Sequence, residues 1–293
     1  MLTARAPATS ANLGSGFDVF GVALEGPADV VRVERAEETV ISVTGAGSRY
    51  IPEDPEKNTV GAVARELEAP ARIRIDKGVR PASGLGSSAA SAAGAAVALN
   101  ALYDRGYSRE ELVPIAAEGE ALVSGIAHSD NVAPALLGGF TIVTAAGITQ
   151  VDTEVPVVAC LPEGAVSTRD ARGVVPDSAP MEDLVGTVGS AASLAVGMTR
   201  SDPELVGQGM TNGVVTPERA ALIDGYDAVH DAAESAGAYG VTVSGSGPGV
   251  LAVCDSGDRR AVAGAMVEAF DHAGVESRAY QTAVGPGVQL FEE

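Results

Sequence analysis

Pro81–Ser91, with the sequence PASGLGSSAAS, is the stretch that decides the fold. Gly84 and Gly86 let the backbone turn tightly and approach an anion closely, because neither residue carries a Cβ atom. Ser87 and Ser88 then open an Ala-rich segment with the composition of a helix. The free N–H groups and the positive dipole end of a helix form a site for anions. The stretch therefore predicts a phosphate-binding loop that leads into a helix.

Two other glycine-rich motifs would explain the same loop differently. A Walker A loop requires GxxxxGK[ST], and no lysine follows these glycines. Gly84, Gly86 and Ala89 fit the dinucleotide fingerprint GxGxxA, but that motif follows its strand directly, whereas here the preceding strand is expected to end near Ile75. Both motifs are therefore disfavoured. A flexible Gly/Ser connector or an ordinary capped helix start remains an alternative for this stretch taken alone.

The composition limits the classes of partner. The chain has 39 acidic and 19 basic side chains and a net charge of −20, and only two of its bases are lysines. An acidic surface poor in lysine indicates adaptation to a high-salt cytoplasm, where ions screen the repulsion between like charges. The absence of a basic patch argues against nucleic acid or an anionic membrane as a partner.

Other features indicate a soluble, cytoplasmic, globular protein. The N-terminal residues lack the apolar core of a signal peptide, and no stretch of sequence is long enough to span a bilayer. Cys160 and Cys254 each end an apolar run, so we expect buried free thiols. The 293 residues, 46% of them hydrophobic, suffice for about two domains.

Strand and helix patterns alternate along the chain and predict an α+β fold in which helices cover a sheet. We expect a soft domain boundary near residue 155, where the apolar pattern restarts, and a loop over residues 128–139. Strands are predicted over 2–6, 29–34, 39–43, 71–75, 140–144, 151–161, 240–254 (two strands around a glycine turn) and 277–284. Helices are predicted over 58–67, from 87 to about 103, over 108–124 and 181–198, from 203, and over 217–235 and 259–273.

Five segments in order resemble a known family. Ala6–Gly21 (APATSANLGSGFDVFG), Pro81–Ser91, Gly125–Phe140 (GIAHSDNVAPALLGGF), Ser167–Pro176 (STRDARGVVP) and Gly240–Pro248 (GVTVSGSGP) resemble the GHMP superfamily of galactokinase, homoserine kinase, mevalonate kinase and phosphomevalonate kinase. The resemblance is to its homoserine kinase branch in particular. The GEH-type first motif of the sugar kinases is absent.

The resemblance implies a two-domain GHMP kinase fold. Residues 1–155 would form an ATP-binding domain like domain 2 of ribosomal protein S5, and residues 156–293 a ferredoxin-like α/β sandwich, with the active site between them. It implies ATP-dependent phosphorylation of the side-chain hydroxyl of L-homoserine, a step toward threonine, and a homodimer. Together with the acidic composition, it predicts a source among the halophilic archaea. Two alternatives stay open: another kinase of the superfamily, acting on a shikimate- or mevalonate-type alcohol, and an inactive nucleotide-binding regulatory homologue.

The resemblance also assigns nucleotide and metal contacts. It places Asn58 on the adenine side, although a helix N-cap is an equal alternative for Asn58. Lys77 is expected to contact phosphate because a chain with a net charge of −20 needs local cations to bind a polyanion, and an exposed lysine at a strand end is the alternative. Ser88 and Glu120 are expected to bind Mg²⁺, since a hydroxyl and a carboxylate are suitable hard oxygen ligands. The remaining predicted ATP contacts are Pro81, Ala82, Ser83, Gly84, Leu85, Gly86, Ser87, Ser88, Ala89, Ala90, Ser91, Gly245 and Gly247.

On the acceptor side, the resemblance assigns the groups that would bind an amino acid. Asp18 is expected to bind the ammonium group, with Asn12 hydrogen-bonding beside it. Arg172 and Arg219 are expected to bind the carboxylate, which matches the fork of a guanidinium group. The other predicted substrate contacts are Thr168 and His128.

Asn131 and Arg172 are the predicted catalytic residues. Mevalonate-type relatives use an aspartate as general base, but the matching position here resembles Asn131, whose amide accepts no proton at neutral pH. The neighbouring Asp130 is the competing candidate. We expect Asn131 to orient the hydroxyl without a strong side-chain base, because positioning and charge stabilisation supply most of the catalysis of phosphoryl transfer.

Overall fold

The computed structural model describes residues 1–124, 129–211 and 213–292. The strands are β1 (Leu2–Ala11), β2 (Phe20–Arg35), β3 (Val40–Gly45), β4 (Ala71–Lys77), β5 (Phe140–Thr144), β6 (Gly147–Val151), β7 (Pro156–Pro162), β8 (Ala238–Val243), β9 (Val250–Cys254), β10 (Ser277–Ala283) and β11 (Gln289–Glu292). The helices are α1 (Thr59–Glu66), α2 (Ser87–Leu102), α3 (Leu112–Ser124), α4 (Ser129–Leu137), α5 (Thr168–Gly173), α6 (Met181–Arg200), α7 (Pro203–Gly209), α8 (Thr216–Ala220), α9 (Tyr226–Ser235) and α10 (Arg259–His272).

The first sheet is built around the long strand β2. Its strand order is β11-β1-β2-β4-β3, with β5 also paired to β2 and β6 paired to β5. Residues Phe20–Val22 of β2 pair with β5, whereas Val30–Arg35 pair with β4. Only the pair of β3 and β4 is parallel among the described strands. One strand thus joins two parts of the sheet.

Helix α2 lies against β1 and β2 and is buried along most of its length. Its small side chains permit this close approach: a Cβ atom on Gly94 would lie 2.9 Å from the Val31 side chain and 3.1 Å from that of Ala6. Helices α1, α3 and α4 pack beside it. Because α2 is enclosed by the sheet and three helices, its N-terminus at Ser87 has a fixed position.

The second sheet has the order β10-β7-β9-β8, and its described pairs are antiparallel. Val157, Ala159 and Leu161 of β7 belong to the large hydrophobic core shared with the first sheet. Val158 and Cys160 alternate with them and pack in a second core beneath α9 and α10. The strand alternation therefore lets β7 serve two cores. The domain boundary between residues 155 and 156 stays a prediction, and β11 returns to the first sheet to pair with β1.

Several predicted elements differ in the structure. The loop predicted over 128–139 is wrong for its described part, which forms α4 with Pro134 inside the helix. Burial of its apolar side chains against the first sheet outweighs the helix-breaking tendency of Pro134 and the following glycines. The segment predicted as one helix over 217–235 divides into α8 and α9, and β11 was not predicted.

The cysteine prediction is confirmed, since Cys160 and Cys254 are both free and buried. Within the described ranges, no helix combines the length and the apolar character that a membrane span requires.

Candidate active site

The phosphate loop has the backbone that its glycines predicted. Gly84 and Gly86 adopt φ angles of +79° and +58°, and α2 begins directly afterwards at Ser87. A Cβ atom on Gly84 would lie 2.5 Å from the carbonyl oxygen of Ser244. Gly86 occupies the N-cap position of α2 and provides no side chain to cap the first turn. An anion can therefore approach the first-turn N–H groups of α2 without a competing capping side chain.

The glycine-rich turn after β8 supports this loop. The Ser244 hydroxyl donates to the carbonyl oxygen of Gly84 at 2.7 Å, and the N–H of Gly249 donates to that of Ser83 at 3.1 Å. These two bonds place the predicted third motif, residues 245–247, directly against the loop. The second sheet therefore helps to set the position of the loop that leads into α2.

Ser88 and Glu120 meet at the start of α2. The Ser88 hydroxyl donates to Oε2 of Glu120 at 2.9 Å. Burial raises the pKa of Glu120 to about 7, partly opposed by the Ser88 hydrogen bond and by the charge of Lys77, while the charge of Asp130 adds to the rise. A buried carboxylate beside a hydroxyl suits a hard cation, which would offset the cost of burying the negative charge. No cluster of three or more acidic, His or Cys side chains joins them among the described residues.

Asn131 lies at the start of α4, in contact with the phosphate loop. The Thr9 hydroxyl donates to Oδ1 of Asn131 at 2.8 Å. A Cβ atom on Gly86 would lie 2.0 Å from Oγ1 of Thr9 and 2.8 Å from Oδ1 of Asn131. Because Oδ1 accepts this bond, the amide NH₂ is the group that Asn131 can offer to a ligand as a donor.

Asn12 and Asp18 lie in the loop between β1 and β2. Nδ2 of Asn12 donates to the carbonyl oxygen of Gly245 at 3.0 Å, and its Oδ1 accepts from the N–H of Asp18 at 2.9 Å. The carboxylate of Asp18, which has a φ of +57°, forms an ion pair with Arg172 of α5. The predicted ammonium and carboxylate ligands are therefore adjacent, and both side chains remain partly exposed.

Arg219 is the buried member of the same cluster. Its Nη1 donates to the carbonyl oxygen of Gly245 at 2.8 Å, and its Nε donates to that of Ala171 at 3.2 Å. Burial lowers the pKa of the Arg219 guanidinium, and the charge of Asp18 opposes this effect. Gly245 thus joins Asn12 and Arg219 through one carbonyl oxygen. A Cβ atom on Gly245 would lie 3.1 Å from the carbonyl oxygen of Gly84, so this turn also contacts the phosphate loop.

Phe17 is a member of this cluster that the sequence reasoning missed. The central guanidinium carbon of Arg172 lies 5.2 Å from the centre of its ring, and that of Arg219 lies 4.9 Å away. Both distances are within the range of cation–π attraction. The signal available in the sequence was the position of Phe17 directly before Asp18 in the first motif.

Comparison with known proteins places the chain in a family. The model of the GHMP kinases N-terminal domain matches residues 57–139, and the GHMP kinases C-terminal model matches residues 194–272. The curated homoserine kinases of Haloquadratum walsbyi and Halorubrum lacusprofundi are 72% and 71% identical over 291 and 293 residues; these alignments cover 99% and 100% of this chain and 100% of each relative. The chain belongs to the homoserine kinase family.

Solved structures agree with this membership. The crystal structure of homoserine kinase from Cytophaga hutchinsonii matches with a TM-score of 0.91 at 33% identity, and the match covers 99% of this chain and 97% of that one. A mevalonate kinase of L. major matches with a TM-score of 0.73 at 16% identity over 96% of this chain and 95% of that one, which shows a shared fold alone. The predicted α+β GHMP kinase fold is confirmed, as is the predicted relationship to halophilic archaea. Members of this kinase family use ATP.

Two predicted nucleotide contacts of this homoserine kinase family member have other partners in the structure. Lys77 does not face the open side of the loop: its side chain is 1% exposed and pairs with Asp29. The predicted direct phosphate contact is corrected accordingly, because the ammonium group lies beneath α2. Asn58 is the N-cap of α1, with Oδ1 accepting from the N–H of Val60 and Nδ2 donating to the carbonyl of Pro52. Of the two alternatives for Asn58, the structure shows the cap.

Among the described residues, no hydrogen bond joins Thr168, a predicted substrate contact, to the cluster. Thr168 is the exposed first residue of α5, one turn before Arg172, and its neighbour Ser167 caps that helix. His128 lies outside the described residues. The roles predicted for both stay predictions.

Proposed function

We propose that the protein transfers the γ-phosphoryl group of ATP to the side-chain hydroxyl of L-homoserine, forming O-phospho-L-homoserine and ADP. The observation that carries this proposal is the cluster of Asp18 with Arg172 and Arg219, joined through Gly245 to the phosphate loop. A carboxylate and two guanidinium groups together match an amino acid, which carries both charges. A mevalonate- or shikimate-type acceptor has no ammonium group for Asp18.

The acceptor binds by exchanging partners within this cluster. Its ammonium group takes the place of Arg172 beside Asp18, and its carboxylate binds Arg172 and Arg219. The ring of Phe17 is within cation–π distance of both guanidinium groups and thereby favours these positions for them. Because Asn12 bonds to both the Asp18 backbone and Gly245, it fixes the loop that presents Asp18.

The first turn of α2 binds the phosphates of ATP, and Ser88 with Glu120 would hold Mg²⁺. When bound, the ion supplies charge stabilisation for the transferring phosphoryl group. The structural support is the fit of a buried carboxylate and a hydroxyl at 2.9 Å beside the helix N-terminus. Nucleotide oxygens and water would complete the coordination, as is usual for Mg²⁺.

Asn131 orients the acceptor hydroxyl by donating a hydrogen bond from its amide NH₂ to the hydroxyl oxygen. The bond from Thr9 to its Oδ1 fixes this orientation of the amide. The attacking hydroxyl needs little deprotonation early in a loose phosphoryl-transfer reaction, so alignment contributes more than a strong base. Arg172 acts in catalysis by holding the acceptor in line with the phosphate loop.

The proposed function is tested by coupling ADP release to a dehydrogenase assay in molar KCl with L-homoserine, mevalonate and shikimate. Among these three acceptors, we expect turnover with L-homoserine alone.

Two analogues separate the charged contacts: 4-hydroxybutyrate lacks the ammonium group, and 3-aminopropan-1-ol lacks the carboxylate. Each should lower kcat/KM by about a hundredfold or more, since one charge-assisted contact to the acceptor is lost. Preferred turnover of mevalonate or shikimate would contradict the proposal. No turnover with any acceptor, together with thermal stabilisation by ATP, would favour a regulatory nucleotide-binding protein.

We also propose a homodimer in a high-salt cytoplasm. The first half of α6 exposes four large apolar side chains, with Met181, Leu184, Val185 and Val188 between 50% and 71% accessible. A second copy of the chain would cover this face. Light scattering in molar KCl should give the dimer mass, and V185E/V188E should give the monomer mass. V40E, on an exposed strand residue of the first sheet, is the matched control and should leave the mass unchanged.

A further inference from the structure

Asp29 and Lys77 form an ion pair inside the protein, between the first sheet and the start of α2. Their side chains are 0% and 1% exposed, although both are of ionisable type. Asp29 comes from the middle of β2, and Lys77 is the last residue of β4. Buried ion pairs contribute little net stability, because the cost of removing two charges from water offsets their attraction. Their bonding partners indicate another role.

The carboxylate of Asp29 holds the segment that leaves β4. Its Oδ1 accepts hydrogen bonds from the N–H groups of Gly78 and Val79, at 3.1 and 3.0 Å. These two residues lie at the start of the connection that becomes the phosphate loop. A single carboxylate oxygen therefore fixes the first end of this connection.

The ammonium group of Lys77 holds the other end. It donates to Asp29, to the carbonyl oxygen of Ser87 at 2.7 Å and to Oγ of Ser91 at 2.9 Å. The Ser91 hydroxyl donates in turn to Oδ2 of Asp29 at 2.8 Å. All three ammonium protons thus have acceptors, and two of these acceptors lie in the first two turns of α2.

We propose that Asp29 and Lys77 are positioning residues for the phosphate loop, which their ion pair holds at both ends. They touch no substrate in this role. They set the distance between the end of β4 and the start of α2, and thereby the curvature of the loop and the position of the first-turn N–H groups. The proposal rests on the proposed phosphate-binding role of the loop. It also explains why a lysine lies here without facing the nucleotide.

The test uses three variants: D29N, K77M and the double variant D29N/K77M. Each single variant leaves one buried charge without its partner, so both should lower the melting temperature strongly. The double variant has neither charge and should recover most of that loss. The position of the phosphate loop is not recovered in the double variant, because the Met side chain cannot donate hydrogen bonds to Ser87 or Ser91. We therefore expect the double variant to keep a KM for ATP raised about tenfold or more, while the KM for L-homoserine changes less than about twofold.

Calorimetric binding of a non-hydrolysable ATP analogue to the same variants gives a readout that does not depend on turnover. If the wild type binds the analogue but phosphorylates no homoserine, the proposed acceptor is wrong and the positioning role is still decided by the binding data. M266A, on the buried face of α10 in the second core, is the control for destabilisation alone and should lower the melting temperature without changing affinity for the analogue. Recovery of both stability and ATP affinity in the double variant would overturn the positioning role.

Discussion

The Thr9 hydroxyl donates a hydrogen bond to Oδ1 of Asn131 across 2.8 Å, at a point where Gly86 leaves no room for a Cβ atom. This bond fixes which end of the amide can meet the acceptor. We therefore expect N131A to lower kcat by about a hundredfold, as does the loss of one aligned donor in other enzymes. T9V keeps the shape but frees the amide to turn, and should give a smaller fall in kcat.

Steady-state kinetics of N131A, T9V and D130N in molar KCl would check this order. D130N should lower kcat less than N131A, because the alignment of the hydroxyl depends on the amide. A larger loss in D130N would identify Asp130 as the proton acceptor and contradict the role given to Asn131.

Glu120 makes the stability of the metal-free protein depend on pH. Its pKa lies at about 7 in the folded state against 4.5 ordinarily, so the folded state binds the proton more tightly than the unfolded one between these values. The contribution of Glu120 to stability is therefore largest below about pH 4.5, and it is lost as the pH rises through about 7. The loss is up to about 3 kcal/mol.

Denaturant unfolding in EDTA at pH 5, 6, 7 and 8 would measure this effect. E120Q, which cannot ionise, should match the wild type at pH 5 and exceed its stability at pH 8. E118Q, on the exposed side of the same helix, is the matched control, and its stability should match that of the wild type at every pH. Addition of Mg²⁺ and ATP should restore the stability that the wild type loses by pH 8. In E120Q, kcat should depend less on the Mg²⁺ concentration than it does in the wild type. If the free energy of unfolding of E120Q fell with pH as steeply as that of the wild type, Glu120 would not be the group responsible.

The ring of Phe17 lies within cation–π distance of Arg172 and Arg219, the two arginines proposed to bind the acceptor. F17L keeps an apolar side chain but removes the π system, which contributes about 0.5–2 kcal/mol for each cation. We expect the KM for L-homoserine to rise about tenfold with little change in the KM for ATP. F17Y retains an aromatic ring and should recover most of the affinity. If F17L and the wild type have the same KM for L-homoserine, the ring has no part in recognising the acceptor.

Gly86 is required for space as well as for its backbone angle. G86A would place a Cβ atom 2.0 Å from Oγ1 of Thr9, in addition to the strain of a φ of +58°. Gly106 has a φ of +75° and no atom within 4 Å of the added Cβ, so G106A isolates the strain alone. We expect G106A to lose about 1 kcal/mol of stability and no activity, whereas G86A should lose most of kcat. Equal activity in the two variants would show that the contact with Thr9 and Asn131 does not matter for turnover.

Local sequence was sufficient to predict those features that depend on the conformational preferences of single residues. Gly84 and Gly86 predicted the turn into α2 because positive φ angles favour glycine. The helix over 129–137 was missed, since Pro134 and two following glycines indicate a loop unless burial is known. Strand β11 was missed for a similar reason: four exposed residues form a strand only because β1 offers an edge.

The sequence by itself predicted the glycine turn that opens α2 and, through its ordered motifs, determined that the chain resembles a GHMP kinase. It also placed Asn12, Asp18, Asn131 and Arg172 on the list of candidate site residues. Only the tertiary structure decided that Phe17 joins the acceptor cluster and that Lys77 turns inward to Asp29, beneath the loop it had been expected to face. Motif spacing records which residues are near along the chain. The direction of a side chain depends on burial and on partners tens of residues away, such as the 48 between Asp29 and Lys77.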